Sequence, residues 1–296
     1  MQTLTRRSTL LGAGGVALAA ASPLARTAMQ KLALDDPAER ARLRAKVVGS
    51  ATEETVHTFY RLHLYAYLNS GNLIPLYTMN NLNIKVCKPL GDDTYAFTTY
   101  ESGAYCRFDT DEVIDRWENP FTGETREVWP FIGGPLNVRM SADGVETGPE
   151  ATLKPKALRM EVIGDMLFVP TASHFSFPSP FDAATWPKES PGETHFWDSM
   201  FVHGARVDEA ADPTRTNVPA FCQFQNLVSF GAWIGMGGHE GRSYGRAYGT
   251  KLASIDDLPA GARRSLELQT PEIFEIDKWT DFRDGNAEYK AKYGSD

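Results

Sequence analysis

Beyond Gly49-Ser50 the chain is dominated by alternation of apolar and polar positions. Val56, Tyr60, Leu62, Leu64, Ala66 and Leu68 fall on one side of an extended segment, and His57, Phe59, Arg61, His63, Tyr65 and Tyr67 on the other. A period of two is the mark of a strand, although a helix can also be drawn through Glu53–Leu68. Later segments read as hairpins. Asn83–Pro89 and Tyr95–Glu101 flank Gly91-Asp92-Asp93, and Glu112–Glu118 and Glu124–Pro130 flank Asn119-Pro120-Phe121-Thr122-Gly123. Arg159–Val162 and Met166–Pro170 flank Ile163-Gly164-Asp165. Pro and Gly stand where tight turns need them. His195–Val207 and Ala220–Ile234 read as long strands joined by a polar loop around Asp208–Asn217, with a further strand at Tyr244–Leu252.

Helix signals are few. Asp35-Asp36-Pro37 supplies an acidic cap and a proline for a helix ending near Gly49. Pro259–Leu266 reads as a short helix, and the polar tail from Phe282 is frayed or helical. The expected class is mainly β, an antiparallel barrel-like or sandwich domain with a few peripheral short helices.

The N-terminus follows other rules. Arg6-Arg7, a weakly apolar Gly/Ala run from Leu10 to Ala21 and small residues after it make a twin-arginine export signal, with an ordinary secretory signal as the alternative. Cleavage can follow Ala21 or Ala25. The expected organisation is a signal and processing region at 1–28 and one mainly-β domain at 29–296, exported to the periplasm by the twin-arginine machinery. The run is shorter than the roughly 20 apolar residues of a membrane span, and no later stretch approaches that length, so no integral segment is expected after processing.

The chain has 296 residues, and 30 basic against 38 acidic residues give a formal charge of −8. An acidic surface without a basic run argues against nucleic acid and anionic lipid as partners. Cys87, Cys106 and Cys222 are widely spaced and are expected to be buried thiols rather than a disulfide framework. No P-loop, dinucleotide fingerprint, serine-hydrolase elbow or H-E-x-x-H pair is present in the mature region, so no cofactor is expected. Whether copies assemble into a homo-oligomer stays open.

Candidate chemistry centres on His195–His203. Period two puts His195, Trp197, Ser199, Phe201 and His203 on one face. The two imidazoles stand about 26 Å apart along an extended strand, too far to share one metal. Imidazole titrates near neutral pH and can move protons. Arg107 and Arg139 are isolated charges in apolar strands, and a buried Arg needs a carboxylate or an anionic substrate. The expected catalytic set is His203, His195, Arg139, Arg107 and Tyr105. Trp197, Phe201, Trp233 and Tyr244 are the expected substrate-stacking aromatics, with His174 at a strand end beside them. A structural explanation exists for each: surface or capped histidines, arginines paired within the protein, and tryptophans in the core.

Three stretches carry a family resemblance. They are Asp115-Arg116-Trp117-x-Asn119-Pro120-Phe121-Thr122-Gly123-Glu124, Gly134-Pro135-Leu136-Asn137, and Ser229-x-x-x-Trp233-x-x-Met236-Gly237 with Gly241 and Gly249-Thr250-Lys251. Together they resemble the bacterial family called domain of unknown function 1838, whose members often carry twin-arginine signals. Gly231 and Ala232 replace the bulkier residues usual there. The resemblance implies a shared β-barrel-like fold and brings no activity, cofactor or catalytic residue with it. From the residues themselves the expected function is cofactor-independent acid–base chemistry, of lyase or isomerase type, on a small aromatic or phenolic molecule. The alternatives are a periplasmic binding protein for an apolar or aromatic ligand, and a metal enzyme built from His174, one strand histidine and Asp198 or Glu240.

Overall fold

The computed structural model describes residues 32–148 and 157–294, and the leader expected at 1–28 lies outside the described residues. Helix α1 (Pro37–Val48) begins where Asp36 Oδ1 accepts the Ala38 amide at 3.0 Å. The strands follow: β1 (Glu54–Tyr67), β2 (Leu73–Gly91), β3 (Thr94–Cys106), β4 (Arg116–Glu118), β5 (Thr125–Glu127), β6 (Phe131–Ser141), β7 (Gly144–Gly148), β8 (Glu161–Ile163), β9 (Met166–Pro178) and β10 (Thr194–Arg206). Short helix α2 (Val207–Ala211), β11 (Phe221–Val228), β12 (Arg242–Leu252), α3 (Ala260–Gln269) and α4 (Gly285–Tyr293) complete the chain.

All strands but β4 and β5 form one ten-stranded antiparallel sheet in the order β7-β6-β3-β2-β1-β12-β11-β10-β9-β8. From β1 the chain walks outward to one edge, reappears at the opposite edge, and walks back until β12 pairs with β1. The sheet curls into a half-barrel. Helix α1 shows how: it packs on β3 and β6 of one wing and on β9 and β10 of the other. Leu43, Ala45 and Val47 of this helix share a core with Phe97, Met140, Leu167 and Val169 from both wings. A single curled sheet replaces the sandwich alternative.

The alternation in β1 is observed as expected. Val56, Tyr60, Leu62, Leu64 and Ala66 are buried on the concave face, while His57, Arg61, His63 and Tyr65 are half-buried and Tyr67 is exposed on the convex one. Phe59 is the convex exception, buried with Leu82, Ile84 and Ala104 beneath Ala262 and Leu266 of α3. Three expected strands are too long: Glu112–Glu118 and Glu124–Pro130 are strand only over Arg116–Glu118 and Thr125–Glu127. The segment Ala220–Ile234 is strand only to Val228, and a 3-10 turn occupies Ala232–Ile234. Ser229 turns its hydroxyl to the Phe196 amide at 2.9 Å, and Gly235 takes the left-handed φ of 72° that ends the turn. Phe230, Trp233, Ile234 and Met236 then bury together instead of alternating.

Among the described residues no helix is long and apolar enough to cross a membrane. Cys87, Cys106 and Cys222 are all buried free thiols.

Candidate functional site

Parity decides what enters the half-barrel. On β10 the concave positions are His195, Trp197, Ser199, Phe201 and His203; on β11 they include Phe224, Asn226 and Val228, cross-paired with them. On β2 they are Tyr77, Met79, Asn81, Asn83 and Lys85, and on β3 Glu101 and Tyr105, opposite Asn83 and Met79. All of these but Ser199 and Asn81 line a chamber of about 450 Å³. Its volume suits a small organic molecule.

Most of the wall is aromatic. Trp233 meets Tyr77 at 5.2 Å and Tyr105 at 5.1 Å between ring centroids. Phe201 lies edge-on to Tyr60 at 5.6 Å and stacks on His203 at 4.6 Å. The rim is aromatic too: Phe177 stacks on His195 at 4.9 Å, and Phe131 of the opposite wing reaches the same chamber.

One end is polar. The Tyr60 hydroxyl donates to Glu101 Oε1, and the Lys85 ammonium donates to Asn83 Oδ1 at 2.5 Å. Burial pushes the Glu101 carboxyl up, a rise moderated by the Tyr60 hydrogen bond and the charge of Lys85. Burial pulls Lys85 down and raises Tyr60 well above the usual phenol range. His203 is 4 % exposed, and neither ring nitrogen has a hydrogen-bond partner. Burial, with Lys85, Arg44 and Lys251 nearby, holds its imidazole well below 6.5, so the ring is neutral at neutral pH. The Asn226 carbonyl, which also lines the chamber, is buried without a partner as well. An unmet buried polar group costs about 1–3 kcal/mol, so a cluster of them facing one chamber is a feature for a ligand to satisfy.

The expected site residues divide. His203, His195, Tyr105, Trp197, Phe201 and Trp233 all line the chamber. Burial lifts the Tyr105 phenol to about 12 and lowers His195. Arg107 does not belong: it is solvent-facing and paired with Glu112 at 2.8 Å. Arg139 is exposed on the convex side of β6, since Val138 and Met140 take the inward positions. No arginine on the expected list reaches the chamber: Arg139 has the outward parity of β6, and Arg107 lies just past the end of β3, in the turn where its amide donates to Glu112 O at 2.8 Å. His174 pairs with Asp198 at 3.3 Å on the convex face, one position out of phase with His195 and His203. The metal reading needed these groups together, and alternation separates them. Tyr244 lines a wide convex depression of about 730 Å³ with Asp198, Met200 and Arg246. That hollow is larger and shares Asn226 with the chamber, but His203, Glu101 and Lys85 do not line it.

Tyr60, Lys85 and Glu101 line the chamber and were not singled out by reading the sequence. A signal existed: Asn81, Asn83 and Lys85 alternate with Leu82, Ile84 and Val86. It was ambiguous because either face of β2 could have been the solvent side.

The shared motifs have a structural explanation. Asn119 is fully buried; its Oδ1 accepts the Phe121 amide at 2.8 Å and its Nδ2 donates to Ile234 O at 2.9 Å. Trp117 packs edge-on against Trp233 at 5.7 Å. The β4–β5 hairpin thereby fastens the turn that carries Trp233 into the chamber wall. A family model described as "Protein of unknown function (DUF1838)" matches residues 53–287. The chain belongs to the DUF1838 family. No curated protein matches the chain. In this DUF1838 protein the signature hairpin and the 229–237 segment meet in space and support the chamber, whereas Glu101, Lys85 and His203 lie on strands outside those motifs.

Proposed function

We propose that the chamber binds a small aromatic or phenolic molecule and performs cofactor-independent acid–base chemistry on it, of lyase or isomerase type. The observation that carries this reading is the Tyr60–Glu101 hydrogen bond at the polar end of an aromatic-walled chamber. A carboxyl raised by burial is a stronger proton acceptor than a free one, the direction general acid–base work requires. Glu101 takes or returns the proton, and Tyr60 relays it or donates to a developing oxyanion. Neutral His203 is a weak base, so its role is to hydrogen-bond the substrate. Trp197, Phe201 and Trp233 hold the ring. For a β-hydroxy carbonyl substrate, Glu101 removes the hydroxyl proton, that carbon becomes an aldehyde carbonyl, and the pair of the breaking carbon–carbon bond passes to an enolate whose oxygen accepts from Tyr60 and whose carbon takes the proton back from Glu101.

The test is a product screen of purified protein against aromatic β-hydroxy ketones and phenolic dimers, with Glu101→Gln and Tyr60→Phe alongside. Turnover is expected to fall by about 10²–10⁴-fold in either variant, while ligand quenching of the chamber tryptophans persists. Turnover unchanged in both would sink the assignment. The chamber's apolar wall also supports the binding-protein reading. A ligand that co-purifies, stabilises the chain and is recovered unaltered would favour that reading.

Export belongs to the same proposal. With Arg6 and Arg7 both changed to Lys, the protein should remain cytoplasmic on cell fractionation. Continued export of this variant would refute the twin-arginine assignment.

A further inference from the structure

Among the described residues three lysines are buried: Lys46, Lys85 and Lys251. Two are saturated. Lys46 donates to the Ala210 and Asp212 carbonyls, both at 2.8 Å. Lys251 donates to Lys46 O at 2.9 Å, Gly49 O at 2.7 Å and the Asn217 side chain. Both tie backbone segments together. Lys85 differs. Its amine makes one hydrogen bond, to the amide oxygen of Asn83, and it faces the chamber. It forms no ion pair with a carboxylate among the described residues. A buried ammonium with a single neutral partner is poorly stabilised, which favours the free amine. Burial lowers the basicity of all three, Lys46 to about 8 and Lys251 to about 7, so what sets Lys85 apart is its single partner and its place on the chamber wall. The proton-transfer pair is close at hand: Glu101 lies opposite Asn83 on the neighbouring strand, diagonal to Lys85.

We infer that Lys85 forms an imine with the carbonyl carbon of an aromatic aldehyde or ketone held in the chamber. The inference rests on the acid–base reading above and names the substrate class. The lone pair of the Lys85 nitrogen attacks the carbonyl carbon, and the carbonyl electron pair moves to oxygen, which takes the proton of the Glu101 carboxyl. The nitrogen then loses a proton to Glu101, the hydroxyl leaves as water with a proton returned, and the C=N bond forms. Amine plus carbonyl gives imine plus water, and no oxidant is needed. With a β-hydroxy carbonyl substrate the protonated imine accepts the electron pair of the breaking carbon–carbon bond. Glu101 takes the hydroxyl proton, and a smaller aldehyde departs. Protonation of the resulting enamine at carbon and addition of water return the amine.

The experiment incubates the mature protein with 4-hydroxybenzaldehyde, adds sodium borohydride as hydride donor, and maps the hydroxybenzyl adduct by peptide mass spectrometry. Quenching of chamber tryptophans reports binding separately. Lys85→Arg and Lys85→Met are run in parallel, with circular dichroism to confirm folding. The expected result is one adduct on Lys85, absent from both variants, with Lys46 and Lys251 unlabelled. Glu101→Gln should form it about 10²-fold more slowly. Binding without any adduct on Lys85 would overturn the imine while leaving the acid–base reading standing. Labelling that is equal in wild type and Lys85→Arg would do the same. If the probe neither binds nor labels, both readings fail together.

Discussion

Replacing His203 with leucine should make the protein more stable while emptying the chamber of one of its polar contacts. The ring is buried, and its donor and its acceptor both lack partners. Each unmet group costs about 1–3 kcal/mol. The substitution removes both, at the expense of the Phe201 stack at 4.6 Å, which is about 0.5–1.5 kcal/mol, and of some imperfect packing. The net gain is about 1–3 kcal/mol. At about 2–4 °C per kcal/mol for a chain of this size, the melting temperature should rise by about 2–12 °C. A pH series sharpens the test. The folded-state value lies well below 6.5, so between the two the unfolded chain binds a proton that the folded chain does not. Stability therefore rises with pH up to about 6.5 and falls on acidification, by at most about 1.4 kcal/mol per pH unit. His203→Leu lacks this component, so its advantage should widen on going from neutral to about pH 5. Urea denaturation of both proteins at several pH values reads out the difference. A variant less stable than wild type, with a gap that does not change with pH, would refute the claim that His203 is buried, neutral and unpaired.

Glu101→Gln should show the opposite pH trend. The folded carboxyl is raised above 4.5, so its contribution is present in acid and is lost as pH rises through the folded value; the variant should gain on wild type over that rise in parallel urea titrations. Asn119→Ala removes bonds to Phe121 N, Thr122 N and Ile234 O from a fully buried position. A loss of about 2–4 kcal/mol is expected, together with a shift in tryptophan emission as the Trp233 turn loosens; a loss below about 0.5 kcal/mol would contradict the hairpin's fastening role. In Gly249→Ala the new methyl would sit 2.0 Å from Phe59 O and 2.6 Å from Tyr60 Cα. Both are backbone atoms of β1, so the β1–β12 seam must part. Little or no soluble protein should be recovered, and normal yield with unchanged melting would show that the seam yields easily.

Much of the architecture was legible without coordinates because strands betray themselves locally. The two-residue period of β1, the turn chemistry at Gly91-Asp92-Asp93 and at Asn119–Gly123, and the Asp36-Pro37 helix start each depend on a few neighbouring residues. The inward face of β10 was legible for the same reason, and it brings His195, Trp197, Phe201 and His203 to one chamber. Arg139 failed because an isolated charge in an apolar stretch does not say which face is wet, and Arg107 because β3 ends at Cys106, one residue before it. Each lies on the outside, where charge needs no special partner. The strand expected to Ile234 stopped early because burial of Phe230, Trp233 and Ile234 against the hairpin won over local alternation.

Local patterning thus determined that this chain is an antiparallel β protein, where its hairpins turn, and which residues of each strand share a face. It could not determine which face becomes the interior, because that depends on the direction of curl and on where α1 and α3 settle. Curling around α1 made the β10 histidine face concave and brought Tyr60, Lys85 and Glu101, on three adjacent strands, to the same end. The grouping of those side chains is a property of sheet register across residues far apart in the chain, and register is set only when the whole sheet closes.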